Sequence, residues 1–74
     1  MKYFRTEIET VNGQTAQAIY DRDNLRTALS EHYSVLASAL ANENCTEVLS
    51  EVKNYDGGVY AQSHYNMSQF EQEE

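Results

Sequence analysis

Asn12-Gly13 is the feature of this sequence that most restricts its fold. Both residues accept positive φ, so the pair favours a two-residue hairpin turn where alternating strand segments flank it. The side chains of residues 2–11 alternate between two faces, as in a strand, and residues 14–20 follow the turn directly. With a loop of two residues, Val11 faces Gln14. The sequence therefore predicts an N-terminal β-hairpin.

A helix is predicted after this hairpin. Asp23 or Asn24 can cap its first turn, and apolar residues then recur at helical spacing as far as Asn42. The recurring positions are Leu25, Leu29, His32 or Tyr33, Leu36 and Leu40. A helix with one apolar stripe needs a sheet on which to lie.

The C-terminal half repeats the hairpin pattern. Residues 46–55 alternate, Asp56-Gly57-Gly58 supplies a turn, and residues 59–65 form a fourth strand. A two-residue loop places Val48 and Val52 on the same face as the apolar residues of that strand. A three-residue loop with a glycine bulge would shift this register.

These segments predict an α+β fold: a single ββαββ domain over residues 1–65, with one helix packed on one face of a mainly antiparallel four-stranded sheet. The helix returns the chain to the start of the second strand, so the third strand should run parallel to the second. An all-antiparallel sheet then requires the third strand beside the first, or the fourth beside the second. Residues 66–74 are expected to form a polar, acidic and mobile tail. The residues expected between helix and sheet are Phe4, Ile8, Ile19, Val48, Val52, Val59, Leu25, Leu29, Leu36 and Leu40.

Charge and hydropathy restrict the partners. The 12 acidic and 5 basic residues give a net charge of -7, which disfavours direct binding to nucleic acid or to anionic membranes. A basic protein would be attracted, although such a charge is also ordinary for a soluble small domain. The weakly polar stretch over residues 35–41 is too short to span a bilayer. The first residues lack the apolar run of a signal peptide, so we expect a cytoplasmic protein, in the host cytoplasm if it is phage-encoded.

No motif indicates catalysis, a cofactor or a metal. Cys45 is the single cysteine, so no internal disulfide can form. A zinc site would need Cys45, His32, His64 and a carboxylate, without the close ligand pairs of such sites. The three glycines belong to the two turns, and no phosphate-binding loop or GxSxG is present. We therefore expect a non-enzymatic domain, and its small size favours a homo-oligomer.

The uncovered face of the sheet is the predicted binding surface. Aromatic, polar and charged residues together on an open sheet resemble an interface, although tyrosine and threonine are also ordinary strand residues. The candidate partner-binding residues are Tyr3, Arg5, Glu7, Glu9, Tyr20, Glu47, Glu51, Tyr60, Gln62 and His64. Leu49 and Lys53 are expected beside them. A flat face gives paired carboxylates no pocket to raise a pKa, so Glu7 and Glu9 are interpreted as surface groups.

The sequence also resembles a group of small proteins encoded by phages, prophages and mobile elements of gut Firmicutes. The matching residues are Lys2-Tyr3, Glu7-Ile8, Asn12-Gly13, Ala28, Leu36-Ala37, Ala39, Asp56-Gly57 and His64-Tyr65. The helix departs from the group in reading His32-Tyr33 where the group has the reverse order. The group has no known activity, so the resemblance implies a phage or mobile-element setting.

Three functions are expected in this order. The first is a small acidic binding protein that inhibits a host protein, either a defence or a nucleic-acid-handling factor, by surface docking. The second is a homo-oligomer that sequesters a nucleotide-like ligand between two copies, through Tyr3, Tyr20, Tyr60, Arg5 and His64. The third is a purely structural homo-oligomer.

Overall fold

A computed structural model describes residues 2–70 of the chain. Four strands and one helix follow in the order ββαββ, and a short 3₁₀ turn over Met67–Phe70 ends the described chain. The elements are β1 (Tyr3–Val11), β2 (Gln14–Arg22), α1 (Leu25–Ala41), β3 (Cys45–Asn54) and β4 (Val59–Asn66). The strands form one antiparallel sheet, so the predicted α+β fold is confirmed.

The first hairpin has the predicted turn. Asn12 and Gly13 have φ angles of 56° and 81°, which is the left-handed region that this two-residue turn requires. Val11 lies opposite Gln14, and the pairing continues without a bulge to Tyr3 and Arg22 at the far end. Local turn chemistry thus sets the register of β1 and β2.

Helix α1 begins at a capped residue, as the sequence indicates. The side chain of Asn24 accepts a hydrogen bond of 3.2 Å from the backbone N–H of Thr27. This bond satisfies one of the N–H groups that a helix start leaves without an internal partner. Of the two predicted caps, Asn24 is the one used.

The sheet order is β2-β1-β3-β4. Of the two predicted arrangements, the third strand therefore lies beside the first. Strands β1 and β3 form the centre of the sheet, and β2 and β4 are its edges. Helix α1 contacts mainly β3 and β1.

The second hairpin has a loop longer than either predicted length of two or three residues. Residues 55–58 connect β3 to β4, and the side chain of Asn54 accepts hydrogen bonds from the N–H groups of Asp56 and Gly58. A register shift between Val52 and Lys53 accommodates one extra residue. Val59 is consequently half exposed and is not part of the core, contrary to the prediction.

The chain remains ordered beyond the predicted domain limit at residue 65. Strand β4 ends at Asn66, whose side chain accepts hydrogen bonds from the N–H and hydroxyl groups of Ser68. Met67 then packs against the core, and the ring of Phe70 lies 6.1 Å from that of Tyr65. Residues 66–70 of the predicted tail thus have regular secondary structure, and residues 71–74 of that tail lie outside the described residues.

The predicted assignment of the two sheet faces is wrong for β1 and β2. Glu9 lies opposite Val48 and Arg5 opposite Val52, and both valines are fully buried beneath α1. The side chains of Arg5 and Glu9 therefore face the helix, and those of Phe4 and Ile8 face away from it. The cross-strand pairing of Thr6 with Ile19 places Ile19 on the same outer face.

The helix buries part of the predicted stripe, since His32 and Leu36 are buried but Leu25 and Leu29 are only partly so. Its buried residues are Ala28, His32, Leu36 and Ala39, while Leu40 is half exposed. Small alanines let the helix lie close to the sheet. His32 lies in the middle of the helix and faces the sheet. Within residues 2–70 the buried apolar residues are Ala28, Leu36, Ala39, Cys45, Val48 and Val52.

Candidate protein-binding face

The structure separates the predicted binding residues into two groups. Tyr3, Arg5, Glu7, Glu9 and Tyr20 lie on the helix side of the sheet, contrary to the prediction, and the ring of Tyr60 packs edge-on against that of Tyr3 at 5.5 Å. The other group occupies the uncovered side, as predicted, together with Leu49 and Lys53. Its members are Glu47, Glu51, Gln62 and His64.

Arg5 is the clearest correction, because it is a buried ion-pairing residue. Its side chain forms ion pairs with Glu7 and, at 3.2 Å, with Glu31 of the helix. Glu31 also accepts a hydrogen bond of 2.8 Å from Arg22. Both guanidinium groups lie near the ring of Tyr20, at 4.7 Å and 5.2 Å from its centre. Arg5 is therefore occupied inside the protein.

The two arginines change the acidity of Glu31. The hydrogen bond from Arg22 is the largest cause that lowers the pKa of Glu31, and Arg5 acts in the same direction. The carboxylate form is favoured because both partners are cations. Glu31 thereby connects the helix to both strands of the first hairpin.

A histidine–serine pair lies beside this ion-pair cluster. Nδ1 of His32 is 2.8 Å from Oγ of Ser50, and neither side chain is exposed. Among the described residues, 2–70, none hydrogen-bonds to Nε2 of His32. Burial lowers the pKa of His32, and the charge of Arg5 lowers it further. The pair is closed to solvent, so it cannot receive a substrate in this conformation.

The uncovered side of the sheet, which we call the open face, carries a continuous apolar strip. Ile8 lies opposite Leu49 on β3 and diagonal to Ile19 on β2, which is in turn diagonal to Phe4. The ring of Tyr55 continues the strip, 5.2 Å from that of Phe4. Ile19 is 60% exposed and Tyr55 is 59% exposed, so the strip is accessible.

Polar side chains border the strip along β3 and β4. Nε2 of His64 lies 2.6 Å from a carboxylate oxygen of Glu47, and the Gln62 amide donates to Glu51 at 2.6 Å. Nζ of Lys53 lies 3.5 Å from Oε1 of Glu51. These residues form the polar border, defined as Glu47, Glu51, Lys53, Gln62 and His64. It contains two carboxylates and one lysine, so acidic groups predominate.

The strip and the polar border meet in a shallow groove of about 270 Å³. Ile8 and Leu49 supply apolar surface to this groove, and Glu47 and His64 supply polar groups. Thr10 and Thr15 add hydroxyls that hydrogen-bond to each other at 2.9 Å. A groove of this composition can accept an aliphatic side chain that carries a cationic end.

A larger cavity lies away from the open face. It measures about 460 Å³ and lies between the end of α1, the start of β3 and the 3₁₀ turn. Leu40, Met67 and Phe70 contribute to its lining, together with the buried thiol of Cys45. That thiol donates a hydrogen bond to the carbonyl of Glu47.

Metal binding has no geometric support in the described part of the chain, where no three His, Cys, Asp or Glu side chains form a cluster suited to an ion.

Among residues 2–70, no helix has the length and hydrophobicity needed to cross a membrane.

The sequence did not identify two features of the site. Phe4, Ile8 and Ile19 of the apolar strip were predicted to lie in the core, because alternation alone does not tell which set of side chains faces the helix. The Glu47–His64 pair depends on the β3–β4 register, which the sequence left open. The prediction that both side chains face outward was the only indication that they could meet. The proposed ligand cage of Tyr3, Tyr20, Tyr60, Arg5 and His64 is not assembled, since Arg5 is buried and His64 lies on the opposite face.

Comparison with known proteins found no matching family model, no matching curated protein and no matching solved structure.

Proposed function

We propose that this chain is a small, non-enzymatic binding protein that docks its open face on a basic protein and thereby inhibits it. The observation that carries the proposal is the uncovered apolar strip, in which Ile19 and Tyr55 are exposed and Phe4, Ile8 and Leu49 are partly exposed. An exposed apolar strip with a polar border is typical of a protein interaction surface. The strip would supply the desolvated centre of the interface.

Charge specifies the chemistry of the partner. The polar border contains Glu47 and Glu51, Asp21 lies at the other end of the face, and the whole chain carries -7. These carboxylates favour a partner that presents Lys or Arg around an apolar side chain. In a phage or mobile-element setting, we propose a host defence or nucleic-acid-handling protein, since surfaces that bind nucleic acid carry such basic groups.

The proposal of binding rather than catalysis is supported by the placement of the titratable residues. His32 and Ser50 are fully buried, which keeps them from a substrate. His64 and Glu47 are each about half exposed, where solvent weakens the interaction of their charges. The exposed pair therefore suits attraction of a partner, and the buried pair suits a structural role.

Selection from a random peptide library displayed on phage would test the proposal, with the purified chain as the immobilised target. We expect enriched peptides that combine Lys or Arg with a large apolar residue. They should bind the wild type and lose at least tenfold in affinity for Glu47→Lys/Glu51→Lys, which corresponds to about 1.4 kcal/mol. The control is Glu9→Lys/Glu43→Lys, which changes net charge equally at positions off the open face, since Glu9 lies on the helix side of the sheet and Glu43 in the exposed turn after α1.

A second pair of variants tests the apolar strip. Ile19 and Tyr33 are both 60% exposed, but Tyr33 lies on the helix. Ile19→Ser should weaken binding of the selected peptides, and Tyr33→Ser should leave it unchanged. Equal binding by both charge-reversed doubles, together with no effect of Ile19→Ser, would contradict docking on the open face.

A further inference from the structure

The outer edge of β2 has no partner within residues 2–70, and its sequence lacks the usual protection of an edge strand. Strand β2 is nine residues long and pairs with β1 without a bulge. Residues 14–20 contain neither proline nor a charged side chain. Natural edge strands are normally blunted by charge, proline, a bulge or short length. The opposite edge, β4, pairs through a bulge and is followed by the 3₁₀ turn.

The hairpin geometry identifies the backbone groups that this edge exposes. In the Asn12-Gly13 turn, the N–H of Gln14 is directed at the carbonyl of Val11. Because hydrogen-bonding direction alternates along an antiparallel strand, the following residue points its N–H and C=O outward. The residues with outward backbone groups are Thr15, Gln17, Ile19 and Asp21.

We propose that β2 pairs with β2 of a second copy of this chain, antiparallel and about a two-fold axis at Ala18, to form a continuous eight-stranded sheet. This register uses the full strand, since Gln14 then lies opposite Arg22 of the partner. Ala18 lies opposite its own copy, where a small side chain fits, and Gln17 lies opposite Ile19. The proposed pairing uses backbone groups at the edge of β2, whereas docking uses side chains of the open face, so the inference does not depend on the proposed function.

The uncharged residues 14–20 of β2 permit a second copy at this edge. Two chains that each carry -7 repel one another, but residues 14–20 let them meet without opposing acidic side chains. In the full register, Asp21 lies opposite Thr15 and Arg22 opposite Gln14, so no like charges are paired across the seam. Like charges directly opposite would destabilise a strand pair. Two copies of β2 can therefore pair in this register without opposing like charges.

The thin core supplies a physical reason to associate. Half of the six buried apolar residues in the described chain are Ala28, Ala39 and Cys45, which bury little surface. Small domains commonly compensate through disulfides, metals or oligomerisation, and the lone Cys45 cannot form an internal disulfide. Pairing of the two edges would satisfy exposed backbone groups and bury more of each sheet.

Proline at position 17 tests the pairing directly. In β2 the N–H of Gln17 points outward, so Gln17→Pro removes a bond of the proposed seam and none of the bonds to β1. The matched control Gln17→Thr keeps the N–H in a residue suited to strands. By sedimentation velocity, we expect twice the 8.5 kDa chain mass for the wild type and Gln17→Thr, and the monomer mass for Gln17→Pro.

Amide hydrogen exchange of the wild type decides the matter even if Gln17→Pro fails to fold. In the proposed dimer, the N–H groups of Thr15, Gln17 and Ile19 are protected, and their protection falls on dilution. A wild type that sediments as a monomer at high concentration would overturn the proposal. So would a dimer in which these three amides exchange rapidly, or a folded Gln17→Pro variant that remains dimeric.

Discussion

His32 of α1 and Ser50 of β3 form a 2.8 Å hydrogen bond between two side chains that have no solvent exposure. The bond joins the middle of the helix to the centre of the sheet. The hydrogen bond satisfies Nδ1 of His32, while Nε2 of the same ring has no hydrogen-bond partner within residues 2–70. A buried polar group that loses its partner retains its desolvation penalty. This pair should therefore be important for stability rather than for binding.

Removal of the serine hydroxyl tests its contribution. Ser50→Ala leaves Nδ1 of His32 buried without a partner, and we expect the free energy of unfolding to fall by about 1–3 kcal/mol. Ser63 lies opposite Ser50 on β4, so Ser63→Ala is the matched control and should have a smaller effect. Urea unfolding followed by circular dichroism measures both variants. Equal losses would show that the His32 contact has no special role.

Acidification should destabilise the fold through His32. Burial, together with the Arg5 charge, lowers the pKa of His32 below its ordinary value of 6.5. As pH falls below that value, the unfolded chain takes up a proton that the folded chain does not. The stability linked to His32 is therefore present above about pH 6.5 and is lost as pH falls through the folded-state pKa.

The double variant His32→Leu/Ser50→Ala isolates this effect. Urea unfolding from about pH 8 to about pH 5 should show a smaller loss of stability for the variant than for the wild type. The pKa of Glu31 is lowered from 4.5, so its own contribution is lost at lower pH and does not enter this range. The same pH dependence in both proteins would contradict a buried neutral His32.

Arg5 should contribute strongly to stability, although its sequence position suggested a surface role. Arg5→Met removes the cation that pairs with Glu7 and Glu31. We expect a loss of about 2–3 kcal/mol, below the full value for a wholly buried pair because both carboxylates retain some exposure. Arg26→Met on the exposed side of the helix is the control. Thermal and urea unfolding that failed to distinguish the two variants would contradict this role.

Local chemistry accounts for the parts of the fold that the sequence predicts well. Asn12 and Gly13 accept the positive φ of the turn, and Asn24 has the side chain that a helix start needs. Each of these features is decided within a few residues. The same elements restrict the strand order to two arrangements, because an antiparallel sheet with a returning helix allows few, and the structure has the one with β3 beside β1.

The assignment of the two faces depends on contacts between distant residues, and here the apolar pattern was misleading. Phe4 and Ile8 are large apolar residues of β1, yet the pairing of Arg5 with Val52 places them outside. A polar residue can face the helix because Glu31, 26 positions away along the chain, supplies its partner. Alternation has the same period for both faces, so the pattern could not show that the interior contains an ion pair.

Tyr55 offers a test of how the open face is held together. Its hydroxyl donates a hydrogen bond of 2.5 Å to Asp21 and thereby connects the second hairpin to β2. This bond is the largest cause that raises the pKa of Tyr55 above 10.0. Asp21→Asn should lower that pKa, because the amide does not bear the charge that opposes ionisation of the phenol. Spectrophotometric titration of tyrosinate should then show one tyrosine ionising at lower pH than in the wild type. Asp56→Asn, next to Tyr55 in sequence, is the control, and an equal change in both variants would contradict the Asp21 contact.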